Sequence, residues 1–184
     1  MRRILKILVV GDEGVGKTCL IRRFTDDVFS TEKKHTIGID FSIKDIALDE
    51  TRVKLQIWDF GGHDYYRPIQ YTFCEGAKGV IAAFDLSNVK SLNNLSKWII
   101  FLKKAVEVDT PIVLVGTKSD IEGFKVPSEN IMVFMRRYNF KNYFETSAKE
   151  NISIQPPFYY LAKNIISQLS DNNLKAQHHL RSYV

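Results

Sequence analysis

Eight residues, Gly11-Asp12-Glu13-Gly14-Val15-Gly16-Lys17-Thr18, follow the apolar run Ile4 to Val10 and have the types and spacing needed to hold phosphate. Glycines let the backbone curl so that successive N–H groups face anionic oxygens. Lys17 supplies a point charge for the outer phosphates, and the Thr18 hydroxyl is a hard oxygen ligand for Mg²⁺. A helix starting near Lys17 would aim its positive dipole end at the same phosphates. The pattern G-x-x-x-x-G-K-[ST] is met at every required position. Alone, it leaves kinases, ATPases and GTPases open.

Four later stretches narrow the choice. Trp58-Asp59-Phe60-Gly61-Gly62 places a carboxylate where a strand should end, suited to Mg²⁺, with the Gly62 N–H in reach of a terminal phosphate. In Thr117-Lys118-Ser119-Asp120, the aspartate can accept from the ring N–H and amino group of guanine, a donor pair that adenine lacks. Glu145-Thr146-Ser147-Ala148-Lys149 follows the last short strand, where backbone N–H groups could meet the base carbonyl. His35-Thr36-Ile37-Gly38 lies in a polar loop, and its threonine could bind Mg²⁺ together with the last phosphate.

These stations need elements to position them. Ile4 to Val10, Val80 to Phe84 and Ile112 to Val115 are short, largely β-branched runs, as expected of strands buried on both faces of a parallel sheet. Phe41 to Leu48 and Val53 to Trp58, separated by Asp49-Glu50-Thr51, form an antiparallel hairpin at a sheet edge. A last strand is expected at Tyr143 to Glu145. Between the strands fall helices: Lys17 to Asp26, one carrying Leu92, Leu95, Trp98, Ile99 and Leu102 with Ser91 as N-cap, and one capped by Ser128. Pro156-Pro157 opens the final helix. Alternating strands and helices give a doubly wound α/β sheet.

Composition agrees with one globular domain. The 184 residues are 45% hydrophobic and 26% charged, with a net charge of +5 spread over short pairs such as Arg22-Arg23. Scattered cations are solvated faces, so nucleic acid is not an expected partner. Cys19 and Cys74 are too few and too far apart for a disulfide framework or a metal site, which points to a reducing, intracellular setting. No signal peptide and no membrane span are evident, so a soluble, cytoplasmic protein is expected.

With these residues assembled, the chain resembles the Ras superfamily of small GTPases over about residues 4 to 170, most closely its Rab-like branch. Gly11 to Leu20 is similar to the Rab phosphate loop, and Thr36-Ile37-Gly38-Ile39-Asp40-Phe41 to the Rab first switch. Thr117-Lys118-Ser119-Asp120 resembles the guanine motif in its threonine form, and Thr146-Ser147-Ala148-Lys149 the last base-contacting loop. The resemblance implies a P-loop NTPase fold of six strands, mostly parallel with one antiparallel edge strand. It implies a small GTPase domain over 1–170 and a flexible polar tail over 171–184. It also implies tight GTP and GDP binding with Mg²⁺, held directly by Thr18 and by Thr36 in the GTP form, with Asp59 holding the ion through its water. Nucleotide contacts would come from Glu13, Gly14, Val15, Gly16, Lys17, Thr18, Cys19, Thr36, Gly62, Thr117, Lys118, Asp120, Ser147, Ala148 and Lys149, with Phe29 covering the base or packing on the core. Loss of the third phosphate would release Thr36 and Gly62, an order–disorder switch. Effector, exchange-factor and activating proteins are expected partners, and the chain is expected to be a monomer.

Three departures from the family pattern matter. His63 stands where a glutamine usually orients the attacking water, and Glu13 where a small residue usually lies beside the last phosphate. A carboxylate there meets like charge and must turn away or bind something basic. Slow or partner-assisted hydrolysis is therefore expected, with Lys17, Gly62 and His63 as the catalytic set; the alternative is that His63 and Glu13 face solvent and another group positions the water. The third departure is the tail: no cysteine follows Cys74 and residue 2 is arginine, so neither prenylation nor myristoylation is expected. Ser182-Tyr183-Val184 loosely fits a peptide that adds a strand to a PDZ-type domain, and His178-His179 is incidental. Two other functions stay open at this point: a GTP-locked scaffold without turnover, and a P-loop kinase with no need of Asp120.

Overall fold

In a computed structural model that describes residues 3–30 and 36–181, with side chains as far as Asp171, the chain forms a six-stranded sheet flanked by five helices. In chain order these are β1 (Arg3–Val10), α1 (Lys17–Asp26), β2 (Ile39–Leu48), β3 (Thr51–Phe60), α2 (Arg67–Phe73) and β4 (Gly79–Asp85). There follow α3 (Val89–Ala105), β5 (Ile112–Thr117), α4 (Ser128–Tyr138), β6 (Tyr143–Glu145) and α5 (Gln155–Arg181). A single 3-10 turn, Asp64–Tyr66, precedes α2. His35 and Ser182 to Val184 lie outside the described residues, as do the side chains of His178 and His179.

The strand order is β2-β3-β1-β4-β5-β6. Only the β2–β3 pair is antiparallel, in register from Ile39 opposite Phe60 to Leu48 opposite Thr51. Asp49 makes the hairpin turn in a left-handed conformation (φ 50°), which a short polar side chain tolerates. The remaining pairs are parallel, and the β4 residues are buried throughout, as the continuous apolar run requires.

Each face of the sheet carries its own apolar core. On one side Leu20, Ile21 and Phe24 of α1 meet Phe158, Leu161 and Ile165 of α5; the rings of Phe24 and Phe158 stack with centroids 3.9 Å apart. On the other, Leu95, Trp98 and Leu102 of α3 and Ile131 and Phe134 of α4 cover Val80, Ala82 and Phe84. Gly79 lets α5 sit close: a Cβ there would come within 2.8 Å of the Leu161 side chain. Helix α5 runs on to Arg181, through most of the polar segment expected as a tail.

Two caps differ from the sequence expectation. Helix α3 starts at Asn88, whose side chain accepts from the Lys90 N–H. Ser91 instead sits inside the first turn, donating to the Asn88 carbonyl and accepting from the Asp85 N–H, so its hydroxyl ties the helix to the end of β4. Ser128 is the first residue of α4 and makes no side-chain cap; Pro127 precedes it. In both helices an earlier residue, Asn88 or Pro127, takes the N-cap position expected of the serine.

Candidate nucleotide-binding site

Most of the predicted residues gather at the carboxyl ends of β1, β3, β5 and β6, where open parallel sheets place their ligands. They fall into a phosphate end and a base end.

At the phosphate end, residues 11–16 join β1 to α1. Gly14 and Gly16 have φ of 74° and 100°, conformations open to glycine at no steric cost. A Cβ on Gly11 would collide with the Ala83 carbonyl oxygen, so this loop lies directly over β4. Lys17 is 5% exposed, and its Nζ donates to the Gly11 and Asp12 carbonyls at 2.8 Å each. Burial lowers its pKa, while Asp59, Asp12 and Glu13 pull the other way. Beside it the hydroxyls of Thr18 and Thr36 stand 2.9 Å apart, and both donate to Asp59 Oδ2. Burial raises the Asp59 pKa, opposed by Lys17 and the two hydroxyls.

Asp59 Oδ1 is buried and makes no hydrogen bond. A carboxylate oxygen kept from water without a partner is costly unless a ligand compensates it. Two hydroxyls and a carboxylate, all hard oxygens, fit a small divalent cation such as Mg²⁺ that takes its other ligands from phosphate and water. Among the described residues no group of three or more His, Cys, Asp or Glu side chains could hold a metal ion, so such a cation would have no all-protein cage.

The strand carrying Asp59 leads into Gly61-Gly62-His63. The Gly61 N–H donates to the Gly38 carbonyl at 2.8 Å, and the Gly61 carbonyl accepts from Gln70 Nε2 at 2.8 Å. Gly62 packs so tightly on the phosphate loop that a Cβ would overlap the Glu13 backbone nitrogen. His63 Nε2 lies 2.9 Å from Glu13 Oε2. Glu13 thus binds something basic, and the partner is His63 itself. Cys19, half-buried on α1, has its thiol pKa raised by burial.

The base end is braced by its own bonds. Thr117 Oγ1 donates to the Val15 and Phe84 carbonyls, linking the end of β5 to the phosphate loop. Lys118, in a left-handed conformation (φ 60°), reaches the Gly14 carbonyl at 2.8 Å and pairs with Asp85. Asp120 Oδ1 accepts from the Ser147 hydroxyl at 2.6 Å, and Ser147 is fully buried. The Ser119 N–H donates to the Thr146 carbonyl, and Ser147 pairs with Ile152 through two backbone bonds. Arg23 of α1 donates to the carbonyls of Ala148 and Lys149, fixing that loop, and its guanidinium lies 5.9 Å from the half-buried Phe29 ring.

Several working residues escape a reading of the sequence. Asp85, which holds Lys118, ends a buried strand as Asp59 does, and that position was the available signal. Asn94 of α3 donates to Asp12 Oδ2 at 2.7 Å, and Arg67 stacks on Trp98 with Cζ 3.3 Å from the ring centroid. Neither pairing leaves a mark on local sequence.

A model of the Ras family matches residues 6–167. The chain is 38% identical over 176 residues to the Ras-related protein RABE1d of Arabidopsis thaliana, covering 95% of this chain and 81% of that protein. It is 39% identical over 165 residues to the Ras-related protein Rab-10 of Diplobatis ommata (90% and 82%). Against the Ras-related protein Rab-8A of Bos taurus the identity is 38% over 167 residues (90% and 80%).

Proposed function

Since the chain belongs to the Ras family, as a GTPase that binds GTP and GDP with Mg²⁺ and acts as a switch, we propose how its own residues carry that activity. The supporting observation is the convergence of Lys17, Thr18, Thr36, Asp59 and Gly62 on the mouth of the phosphate loop. Neither a kinase nor a GTP-locked scaffold is favoured.

Lys17 exchanges the carbonyls it now bonds for phosphate oxygens, joined by the N–H groups of Glu13 to Cys19. Thr18 would hold Mg²⁺, joined by Thr36 in the GTP form and by Asp59 through the ion's water; the ion would neutralise charge on the phosphates. Asp120, oriented by Ser147, selects guanine, and the backbone of Ser147, Ala148 and Lys149 meets the base carbonyl. Thr117 and Lys118 brace the loop on which both ends depend, and Phe29 covers the base. Water attacks the terminal phosphate, with Lys17 and the Gly62 N–H stabilising developing charge and His63 orienting the water. An imidazole replaces the usual amide, so intrinsic hydrolysis is slow and a partner accelerates it.

Ile37, Phe41, Tyr65 and Ile69 are exposed apolar side chains on and between the two switch segments. Phe41 leads inward to Trp58 and Phe73 through ring contacts of 4.8 and 5.1 Å. This face is where effectors read the nucleotide state. No helix among the described residues is long and apolar enough to cross a membrane.

Nucleotide titration and single-turnover hydrolysis test the assignment. GTP and GDP should bind far more tightly than ATP, and His63→Gln should hydrolyse GTP faster than the wild type. Equal binding of ATP would contradict the base site; a glutamine variant no faster would remove His63 as the limiting group.

A further inference from the structure

Glu13 and His63 face each other across the catalytic end of the site, and their proximity is imposed by backbone. Gly62 is packed onto the Glu13 nitrogen without room for a Cβ, and Gly61 is held from both sides by Gly38 and Gln70. An exposed ion pair by itself contributes little and would not fix a ring. Here the main chain has already brought the two residues together, leaving the side chains only a short distance to close. The contact uses Nε2 of the imidazole, 2.9 Å from Glu13 Oε2.

A histidine has two ring nitrogens, and the hydrogen bond made by one decides what the other does. With Nε2 committed to a carboxylate, the neutral ring carries its proton on Nε2, and Nδ1 is left as an acceptor. An acceptor is what an attacking water requires. Carboxylate–histidine pairs work in this way where the carboxylate holds the tautomer and the ring handles the proton.

We propose that Glu13 is a positioning residue for hydrolysis, holding His63 as the Nε2–H tautomer so that Nδ1 accepts a hydrogen bond from the attacking water. The inference rests on the assignment of His63 as the water-orienting group. The water oxygen forms the new bond to the terminal phosphorus while one of its protons points at Nδ1. The bond to the bridging oxygen breaks with its electron pair leaving on GDP, and the water's protons end on phosphate and solvent. His63 is unchanged at the end of the turnover. The pair makes this site a slow but working substitute for an amide, and it turns the unusual carboxylate of the phosphate loop into part of the catalytic apparatus.

Single-turnover hydrolysis of Glu13→Ala, Glu13→Gln, His63→Ala and the double alanine variant, each saturated with GTP, tests this. Glu13→Ala should be about tenfold slower than wild type, the size of loss usual when an orienting partner is removed. Glu13→Gln keeps an oxygen acceptor for Nε2–H and should retain most of the rate. The double variant should be no slower than His63→Ala alone. Ring-nitrogen NMR spectra of the GDP form, recorded where the imidazole is neutral, should show the Nε2–H tautomer in wild type and a tautomer mixture in Glu13→Ala. A Glu13→Ala variant as fast as wild type or faster, additive losses in the double variant, or a tautomer that ignores the substitution would each overturn the proposal. Failure of the wild type to bind or turn over GTP would instead contradict the functional assignment beneath it.

Discussion

The two ends of the site are built on opposite principles. At the base end, most polar groups are paired within the protein: Thr117 with two carbonyls, Lys118 with Gly14 and Asp85, Asp120 with Ser147, and the 148–149 loop with Arg23, with the buried Ser119 hydroxyl as the exception. At the phosphate end, a buried lysine rests on backbone carbonyls and a buried aspartate keeps one oxygen without a partner. Burial pushes Lys17 and Asp59 in the directions that disfavour their charged forms. A network satisfied internally is rigid before ligand arrives; one that is not depends on ligand to complete it. The contrast explains how one nucleotide is held constantly by its base and sensed variably by its phosphates.

Breaking the phosphate end should have the largest effect. Lys17→Ala removes the buried ammonium that rests on the Gly11 and Asp12 carbonyls, and at about 4 kcal/mol should weaken GTP and GDP roughly a thousandfold in an equilibrium titration. Asp120→Asn attacks the base end. It should cost guanine nucleotides roughly a hundredfold while raising affinity for xanthine nucleotides, which present an acceptor where guanine has its amino group. Removal of Mg²⁺ by a chelator should speed GDP dissociation roughly tenfold or more in a stopped-flow measurement, because Thr18 and Asp59 are left facing bare phosphate charge. Smallest of all, Ser147→Ala takes away one of the bonds that orient Asp120, and about 1 kcal/mol predicts a roughly fivefold loss of guanine affinity with no gain for xanthine. An inverted order, with Ser147→Ala more damaging than Lys17→Ala, would show that the bracing of the base end had been misassigned.

Legibility in the sequence followed the same division. Residues that answer a need of the local backbone could be read directly: glycines in the phosphate loop, a carboxylate at the end of β3, a hairpin closed at Asp49-Glu50-Thr51, of which Thr51 is the first residue of β3. Strand order and four of the five helices followed from the sequence pattern, the short α2 (Arg67–Phe73) was not foreseen, and the six-stranded sheet came from family resemblance. What stayed hidden was pairing between distant segments. Asn94 meets Asp12 and Lys118 meets Asp85 only because α3 and β5 lie beside the phosphate loop; nothing near Asn94 in sequence announces its pairing, and for Lys118 the one hint was Asp85 at the end of a buried strand. Thr117 shows the limit differently: its motif was legible, yet its hydroxyl serves Val15 and Phe84 inside the protein. Glu13 was visible as a misfit against the family pattern, whereas its partner was visible only in three dimensions.

Hydrogen exchange of the backbone amides, compared between the GDP form and a form loaded with a non-hydrolysable GTP analogue, tests the contrast most directly. Residues 36–38 and 61–66 should gain protection with the analogue, while 117–120 and 146–149 exchange at the same rate in both. Equal change in all four segments, or none in the first two, would contradict a site with a fixed base end and a phosphate end that switches.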